Sequence, residues 1–357
     1  MLVFSLMQKI PAPLAPVTLV IGYLFEGLIR MRNRLYSAGW LPQHRLAHPV
    51  ISIGNLTMGG TGKTPLVIYT AQALLKLGFL PAVLTRGYRR SGKERRHVLA
   101  PEAGFSADAA VLGDEPALIR RHLPAIWMGI CKNRYLAGCA IAQKCARVVF
   151  VLDDGFQHRK LHRDLDLVVI DPSQPLKSNQ VFPRGTLREP TEELRRCHVA
   201  VINAGPESST GKVAEEHIRA INPNLIIFHC RQFISRMVPF LSWQKGTECP
   251  NASSIRSVFL VASLGNPHRF HHDVQQFGLV VCGSRYFRDH YWLKPKDWQV
   301  CIEQARHCGA QAILTTEKDA VKITTPPDFP LLVAIQSVEM CNEAFFTRTL
   351  LKYVGRF

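Results

Sequence analysis

What the chain lacks narrows its possibilities first. Its ten cysteines are scattered through 357 residues without a CxxC pair or a zinc-finger spacing, and no cleavable signal pattern points to an oxidising compartment, so the thiols read as reduced and cytosolic. No apolar run reaches the roughly 20 residues of a transmembrane helix. No aromatic RNA-binding pattern and no long basic amphipathic helix supports a nucleic-acid partner, and neither an internal repeat nor a low-complexity linker is present. Acidic residues are few: 27 Asp and Glu against 44 Lys and Arg leave a net charge of +17. That imbalance favours partners bearing phosphate, whether nucleic acid, an anionic membrane surface or a phosphorylated substrate. With 47% hydrophobic and 20% charged residues, disorder is excluded and the length suits two α/β domains.

The longest apolar stretch, Leu14 to Phe25, is too short to cross a bilayer, and Pro11, Pro13 and Pro16 discourage its extension toward the N-terminus. Arg30, Arg32 and Arg34 follow it. Helical spacing places Leu24, Leu28, Met31 and Leu35 on one face with Arg30 and Arg34 on others. Such a stripe suits a helix lying in a membrane interface and equally a helix packed on the protein core. Residues 1–35 are therefore set apart as an apolar and basic, membrane-associated segment.

The segment ISIGNLTMGGTGKTP, Ile51 to Pro65, runs an apolar strand into a glycine-rich loop ending in Gly62-Lys63-Thr64. Glycines let backbone N–H groups close around a polyphosphate, Lys63 can reach its outer phosphates, and the Thr64 hydroxyl can ligate Mg²⁺. Thr57 stands where the usual pattern has its first glycine. Met58 stands where the variant loop of partitioning ATPases carries a second lysine, which argues against a switch ATPase of that kind.

Beyond the loop, Leu66 to Leu77 reads as a helix stopped by Gly78. Strands are expected at Pro81 to Leu84, Arg147 to Leu152 and Leu165 to Ile170. The alternation predicts a doubly wound α/β sheet whose ligands sit at the carboxyl ends of its strands. From about Cys197 a second series begins, with strands expected at Val199 to Ile202, Leu225 to Phe228, Val258 to Ala262, Leu279 to Val281 and Ala312 to Leu314. The expected organisation is a phosphate-loop domain over residues 36–200 and a second, smaller α/β lobe over residues 201–357 that closes on it.

Three clusters offer catalytic chemistry. Asp153 and Asp154 end a buried-looking strand, where Asp-Asp-Gly is either an ordinary turn or a site in which one carboxylate holds Mg²⁺ while the other orients a neighbour, and spacing does not say which is which. In GDEP, Asp114 and Glu115 precede a helical stretch, so Asp114 either caps that helix or serves as the base that accepts a hydroxyl proton. In YFRDHYWLKPKD, the Asp289-His290 pair is either an exposed loop or a catalytic histidine tuned by a carboxylate.

Taken in order, VISIGNLTMGGTGKTP, TRGYRR, GDEP, DDGFQHRKLHRDLDLVVID, FPRGTLREP, SLGNPHRF, FRDHYWLKPKD and TTEKDAVK resemble the tetraacyldisaccharide 4'-kinase family, the lipid A 4'-kinases of Gram-negative bacteria, over nearly the whole chain. The resemblance implies transfer of the ATP γ-phosphate to the 4'-hydroxyl of a tetraacylated glucosamine disaccharide 1-phosphate, giving lipid IVA, at the cytoplasmic face of the inner membrane. It implies Asp114 as general base assisted by His290, and Lys63, Thr64, Asp153 and Asp154 as the phosphate and Mg²⁺ residues. Thr57, Met58, Gly59, Gly60, Thr61 and Gly62 complete the ATP loop, Gln157 lies near the nucleotide, and Glu115 serves the metal or the conformation. Arg188 and Glu189 fit a lobe junction, and Arg89, Arg90, Arg95 and Arg96 are candidates for the 1-phosphate. Neither nucleic acid nor an obligate protein partner is expected. The chain departs from the family in having Tyr291 after His290, where a second histidine is common, and Arg89 where a glycine is common.

Overall fold

Val, Ile and Leu runs such as Val149–Asp153 and Leu165–Ile170, buried at every position, are what a parallel strand covered by helices on both faces requires. In the computed structural model they lie inside one sheet that has twelve strands among the described residues. The structure describes residues 15–87, 96–101, 108–247, 252 and 254–355. In chain order the elements are α1 (Ala15–Ser37), β1 (Val50–Asn55), α2 (Lys63–Lys76), β2 (Pro81–Thr85), β3 (Arg96–Leu99), α3 (Ala109–Leu112), α4 (Asp114–His122) and β4 (Trp127–Cys131). Then come α5 (Arg134–Ala142), β5 (Val149–Asp153), β6 (Leu165–Ile170), a 3-10 turn (Thr191–Arg196), β7 (Val199–Ile202), α6 (Ser209–Ile221), β8 (Ile226–Pro239) and α7 (Phe240–Lys245). The chain finishes with β9 (Ser257–Ala262), α8 (Pro267–Gln276), β10 (Val280–Tyr286), α9 (Pro295–His307), β11 (Ala312–Thr316), α10 (Glu317–Ala320), β12 (Leu331–Met340) and α11 (Glu343–Val354).

The strand order is β10-β9-β11-β12-β8-β7-β6-β1-β5-β2-β4-β3. β1 sits between β5 and β6, parallel to both, so the phosphate loop leaves the middle of the first half of the sheet, where an open parallel sheet places its ligands. Leu66, Val67, Ala71 and Leu74 of α2 are buried against Ile51, Ile53 and Val151, which fixes the helix that follows the loop. Truncating Leu66, which is fully buried, to alanine would cost about 2–5 kcal/mol.

The α/β class expected from the sequence is the one observed, but the junction of the two halves is not at residue 200. The strand Val199–Ile202, expected to open the second lobe, pairs in parallel with β6 and belongs to the first half. The junction is β8, of which the sequence revealed only the start. Its first residues pair in parallel with β7 and the remainder runs antiparallel to β12, with a bulge between Ile335 and Gln336. Polar residues such as Gln232 and Arg236 break the apolar run there, which hid the strand's length. The last helix also crosses back: Phe346, Leu350 and Val354 of α11 are buried with Val199, Val201 and Phe228 in the first half's core.

α1 docks through one face. Glu26 pairs with Arg184 and Arg30, Arg32 pairs with Glu189, the Arg159 guanidinium donates to the Asn33 carbonyl, and Ile29 is buried. Arg184 fills the space beside Gly22, where an added Cβ would lie 2.4 Å from it. Leu24, Leu28 and Met31 point away from the protein, at 65%, 60% and 54% exposure. The apolar stripe anticipated from the spacing therefore exists but is not the face that packs on the core. Among the described residues no helix is long and apolar enough to cross a membrane.

Candidate active site

The phosphate loop is braced from beneath by Asn55, the last residue of β1. Its side-chain NH₂ donates to the Thr57 carbonyl at 2.6 Å and to Thr61 Oγ1 at 2.9 Å, while its side-chain Oδ1 accepts from Lys63 Nζ at 3.0 Å. Gly62 opens α2 at φ 85°, a left-handed conformation that suits glycine. Any Cβ there would also meet the side chain of Gln232, which donates to the Gly62 carbonyl at 2.8 Å. The second half of the sheet thus touches the loop at two points, since a Cβ on Gly265 would lie 2.8 Å from the Gly60 nitrogen. Between the halves lies a cleft of about 1110 Å³ lined by the loop residues Met58 to Thr64 and by Glu115, Asp153, Asp154, Arg188, Asp289, His290 and Lys318, among others.

The adjacent aspartates are pulled in opposite directions. Burial, reinforced by the charges of Glu115 and Asp154, pushes Asp153 up to about 7, against the effects of a 2.9 Å hydrogen bond from the Thr85 hydroxyl and of Lys63. Burial would raise Asp154 too, but Lys63 at 3.3 Å and Arg188, which donates to both carboxylate oxygens at 2.8 Å, hold it far below the usual range. Asp154 is the carboxylate already supplied with cations, and Asp153 the one that lacks them. Among the described residues no three His, Cys, Asp or Glu side chains form a metal cage. A carboxylate and a hydroxyl beside a phosphate loop match instead the sparse oxygen set of Mg²⁺, which keeps waters and phosphates as its remaining ligands.

Asp114 is the first residue of α4 and is 5% exposed. One of its oxygens accepts the Glu115 backbone N–H at 2.9 Å, and the other meets His290 Nδ1 at 2.6 Å. Burial works to raise Asp114, but the His290 hydrogen bond and the charges of Lys318 and Lys322 keep it below the usual carboxylate range. An ionised Asp114 only accepts, so Nδ1 carries the proton and Nε2 is the basic nitrogen. His290 lines the cleft and Asp114 stands behind it. Asp114 is not the cap of this helix, since Gly113 holds that position without a side-chain cap; it is the first helical residue and the partner of the histidine.

The chain matches the model of a family described as tetraacyldisaccharide-1-P 4'-kinase over residues 14–355. It belongs to that family. It is 35% identical over 339 residues to the tetraacyldisaccharide 4'-kinase of Desulfotalea psychrophila, covering 94% of this chain and 95% of the relative. It is 37% identical over 317 residues to that of an Anaeromyxobacter species, covering 87% and 82%. Among solved structures, the "apo" form of LpxK from Aquifex aeolicus in complex with ATP resembles it with a TM-score of 0.73 at 27% identity, covering 96% of this chain and 99% of that one.

Against this background most of the expected residues converge. Met58, Gly59, Gly60, Thr61, Gly62, Lys63, Thr64, Glu115, Asp153, Asp154 and His290 all line the cleft. Two do not. Thr57 is buried and bridges to Leu187, and Gln157 turns its amide to the Asn55 carbonyl at 2.9 Å, bracing β1 from outside the cleft lining. Arg188 reaches the site, but Glu189 is buried away from the junction, bonded to Arg196 and Arg32, and ties α1 to the sheet. Tyr88, Arg89, Arg90 and Arg95 lie outside the described residues, as does the Arg96 side chain. Sequence reading missed Asn55, Thr85 and Lys318. Asn55 carried a signal in its position, as a buried amide between a strand and a phosphate loop has polar atoms that the loop must satisfy.

Proposed function

We propose that the chain transfers the γ-phosphate of ATP to the 4'-hydroxyl of a tetraacyldisaccharide 1-phosphate, producing lipid IVA. Family membership supports the reaction, and the observation that carries the site assignment is the Asp114–His290 pair, 2.6 Å apart, whose imidazole lines the same cleft as Lys63. Backbone N–H groups from Gly59 to Thr64 cradle the ATP phosphates and Lys63 meets their outer oxygens. Arg188 and Lys63 keep Asp154 ionised, and Asp154 in return aims both cations. Thr64 and Asp153, with Glu115 adjoining, would hold Mg²⁺, which supplies charge neutralisation on the phosphates when bound. The 4'-hydroxyl gives its proton to the Asp114–His290 pair, with Asp114 fixing the tautomer and balancing the imidazolium that forms.

The substrate's acyl chains keep it in the bilayer, so the reaction belongs at a membrane surface. The exposed Leu24, Leu28 and Met31 face of α1 and the +17 net charge support peripheral attachment to the anionic cytoplasmic leaflet. The two halves of the sheet then close over the phosphates, with no protein partner required. The test is transfer of labelled γ-phosphate from Mg-ATP to tetraacyldisaccharide 1-phosphate in detergent micelles, with Asp114→Ala as control. Product from the wild type and a loss of about 10²-fold or more in the variant are expected. A folded, ATP-binding wild type that labels no lipid would overturn the reading.

A further inference from the structure

The string TTEKDAVK has no part in the chemistry above, yet its residues meet every segment that carries the Asp114–His290 pair. β11 breaks into the short turn α10, capped where the Thr316 hydroxyl accepts the Asp319 N–H at 3.2 Å. From there three consecutive side chains diverge. Glu317 accepts from the backbone N–H of Gln336 at 3.2 Å and pairs with His122 Nε2 at 2.9 Å, at the far end of α4 from Asp114. Lys318 donates to Glu115 at 3.3 Å and to Asp289 at 3.1 Å. Asp319 accepts from Lys322 at 2.6 Å and from the Ser263 backbone N–H at 2.9 Å, while Lys322 also donates to the Tyr291 carbonyl at 2.9 Å.

These partners are neighbours of the catalytic pair. Glu115 adjoins Asp114, and Asp289 and Tyr291 flank His290. Moreover, His290 has φ 62°, a left-handed conformation that a residue with a Cβ keeps only when its surroundings impose it. Lys318 on one side and Lys322 on the other supply that constraint. Glu317, Asp319 and Lys322 are buried, while the Lys318 pairs with Glu115 and Asp289 are partly exposed.

We infer that α10 is a clamp across the two halves of the sheet, and that Lys318 is a positioning residue that sets Asp114 against His290 by holding the residue next to each. Its action is on alignment, so its loss slows transfer without weakening ATP binding. The inference rests on the lipid-kinase reading and deepens it.

The experiment is a double-mutant cycle in the micelle assay with full-length wild type, Lys318→Met, Lys318→Arg, His290→Ala and the Lys318→Met/His290→Ala double variant. Asp289→Asn, at a partly exposed position, cuts one arm of the same grip and is run through the same cycle should Lys318→Met fail to fold. Lys318→Met should lower kcat by about 10- to 100-fold, leave KM for ATP within about threefold, and be partly rescued by arginine. In the His290→Ala background the same change should cost no more than about threefold, because groups acting as one unit are not additive. Equal losses in both backgrounds, or a loss confined to KM for ATP, would overturn the clamp while leaving the kinase standing. No lipid product from the wild type would remove the kinase reading and the clamp together.

Discussion

Asp114 and His290 are 176 residues apart in the chain and 2.6 Å apart in the structure, one on a helix of the phosphate-loop half and the other in a loop of the second half. Bonded to each other, they fix the imidazole tautomer at the cleft. His290→Ala and Asp114→Ala should each reduce kcat for lipid phosphorylation by about 10²–10⁴-fold. The double variant should be little worse than either single one. ATP affinity, measured by calorimetry, should stay within a few fold of wild type. Multiplicative losses would show that the two act separately.

Asn55 is fully buried and uses its amide and its carbonyl on three groups of the phosphate loop. In Asn55→Ala the Thr57 carbonyl loses a partner and Lys63 loses the acceptor that opposes Asp154. A buried polar group left without its partner costs about 1–3 kcal/mol, so the variant should melt several degrees lower. KM for ATP should rise about tenfold or more, because the loop is no longer preorganised. A variant with normal KM for ATP would show that the brace serves the fold alone.

Elements are legible in the sequence where local chemistry is strict. A phosphate loop must have glycines, lysine and a hydroxyl in order, and a doubly wound strand must be apolar throughout, so Lys63, Thr64 and β1, β5 and β6 were legible. β8 was not, because it serves two neighbours of opposite direction and is half exposed along part of its length, which erases both the continuous and the alternating pattern. Pairings between distant residues were equally hidden. Nothing in GDEP points to His290, and nothing in TTEKD points to Glu115. The difference in surroundings between Asp153 and Asp154 depends on Arg188, far along the chain, which bonds Asp154 alone of the two.

Leu24, Leu28 and Met31 make no docking contact comparable to those of Glu26 and Arg32 of the same helix. Replacing all three by aspartate should therefore leave the melting temperature within about a degree or two, as exposed substitutions usually do. Partition into anionic phospholipid vesicles should fall about tenfold or more, since each large apolar side chain moved out of water contributes about 1.5–3 kcal/mol. Transfer to a short-chain, water-soluble acceptor should be retained. Undiminished partition would place the attachment surface elsewhere.

His158, in the loop after β5, gives a pH signature independent of the catalytic groups. Burial, compounded by the charges of Arg134, Arg163, Lys160 and Arg86, lowers its pKa from 6.5 to about 3. The folded protein therefore keeps this imidazole neutral while the unfolded chain takes up a proton as the pH falls below about 6.5. The sign follows: the contribution to stability is intact above that value and is lost progressively between about pH 6.5 and 3, as the proton favours the unfolded state. Subtracting the denaturation free energy of His158→Gln from that of wild type at each pH cancels the carboxylates common to both. The difference should drop toward acid with a slope of up to about 1.4 kcal/mol per pH unit, the value for one proton. A difference that stayed flat from pH 7 to 4 would mean that His158 titrates alike in both states, and that the surrounding arginines do not hold it neutral.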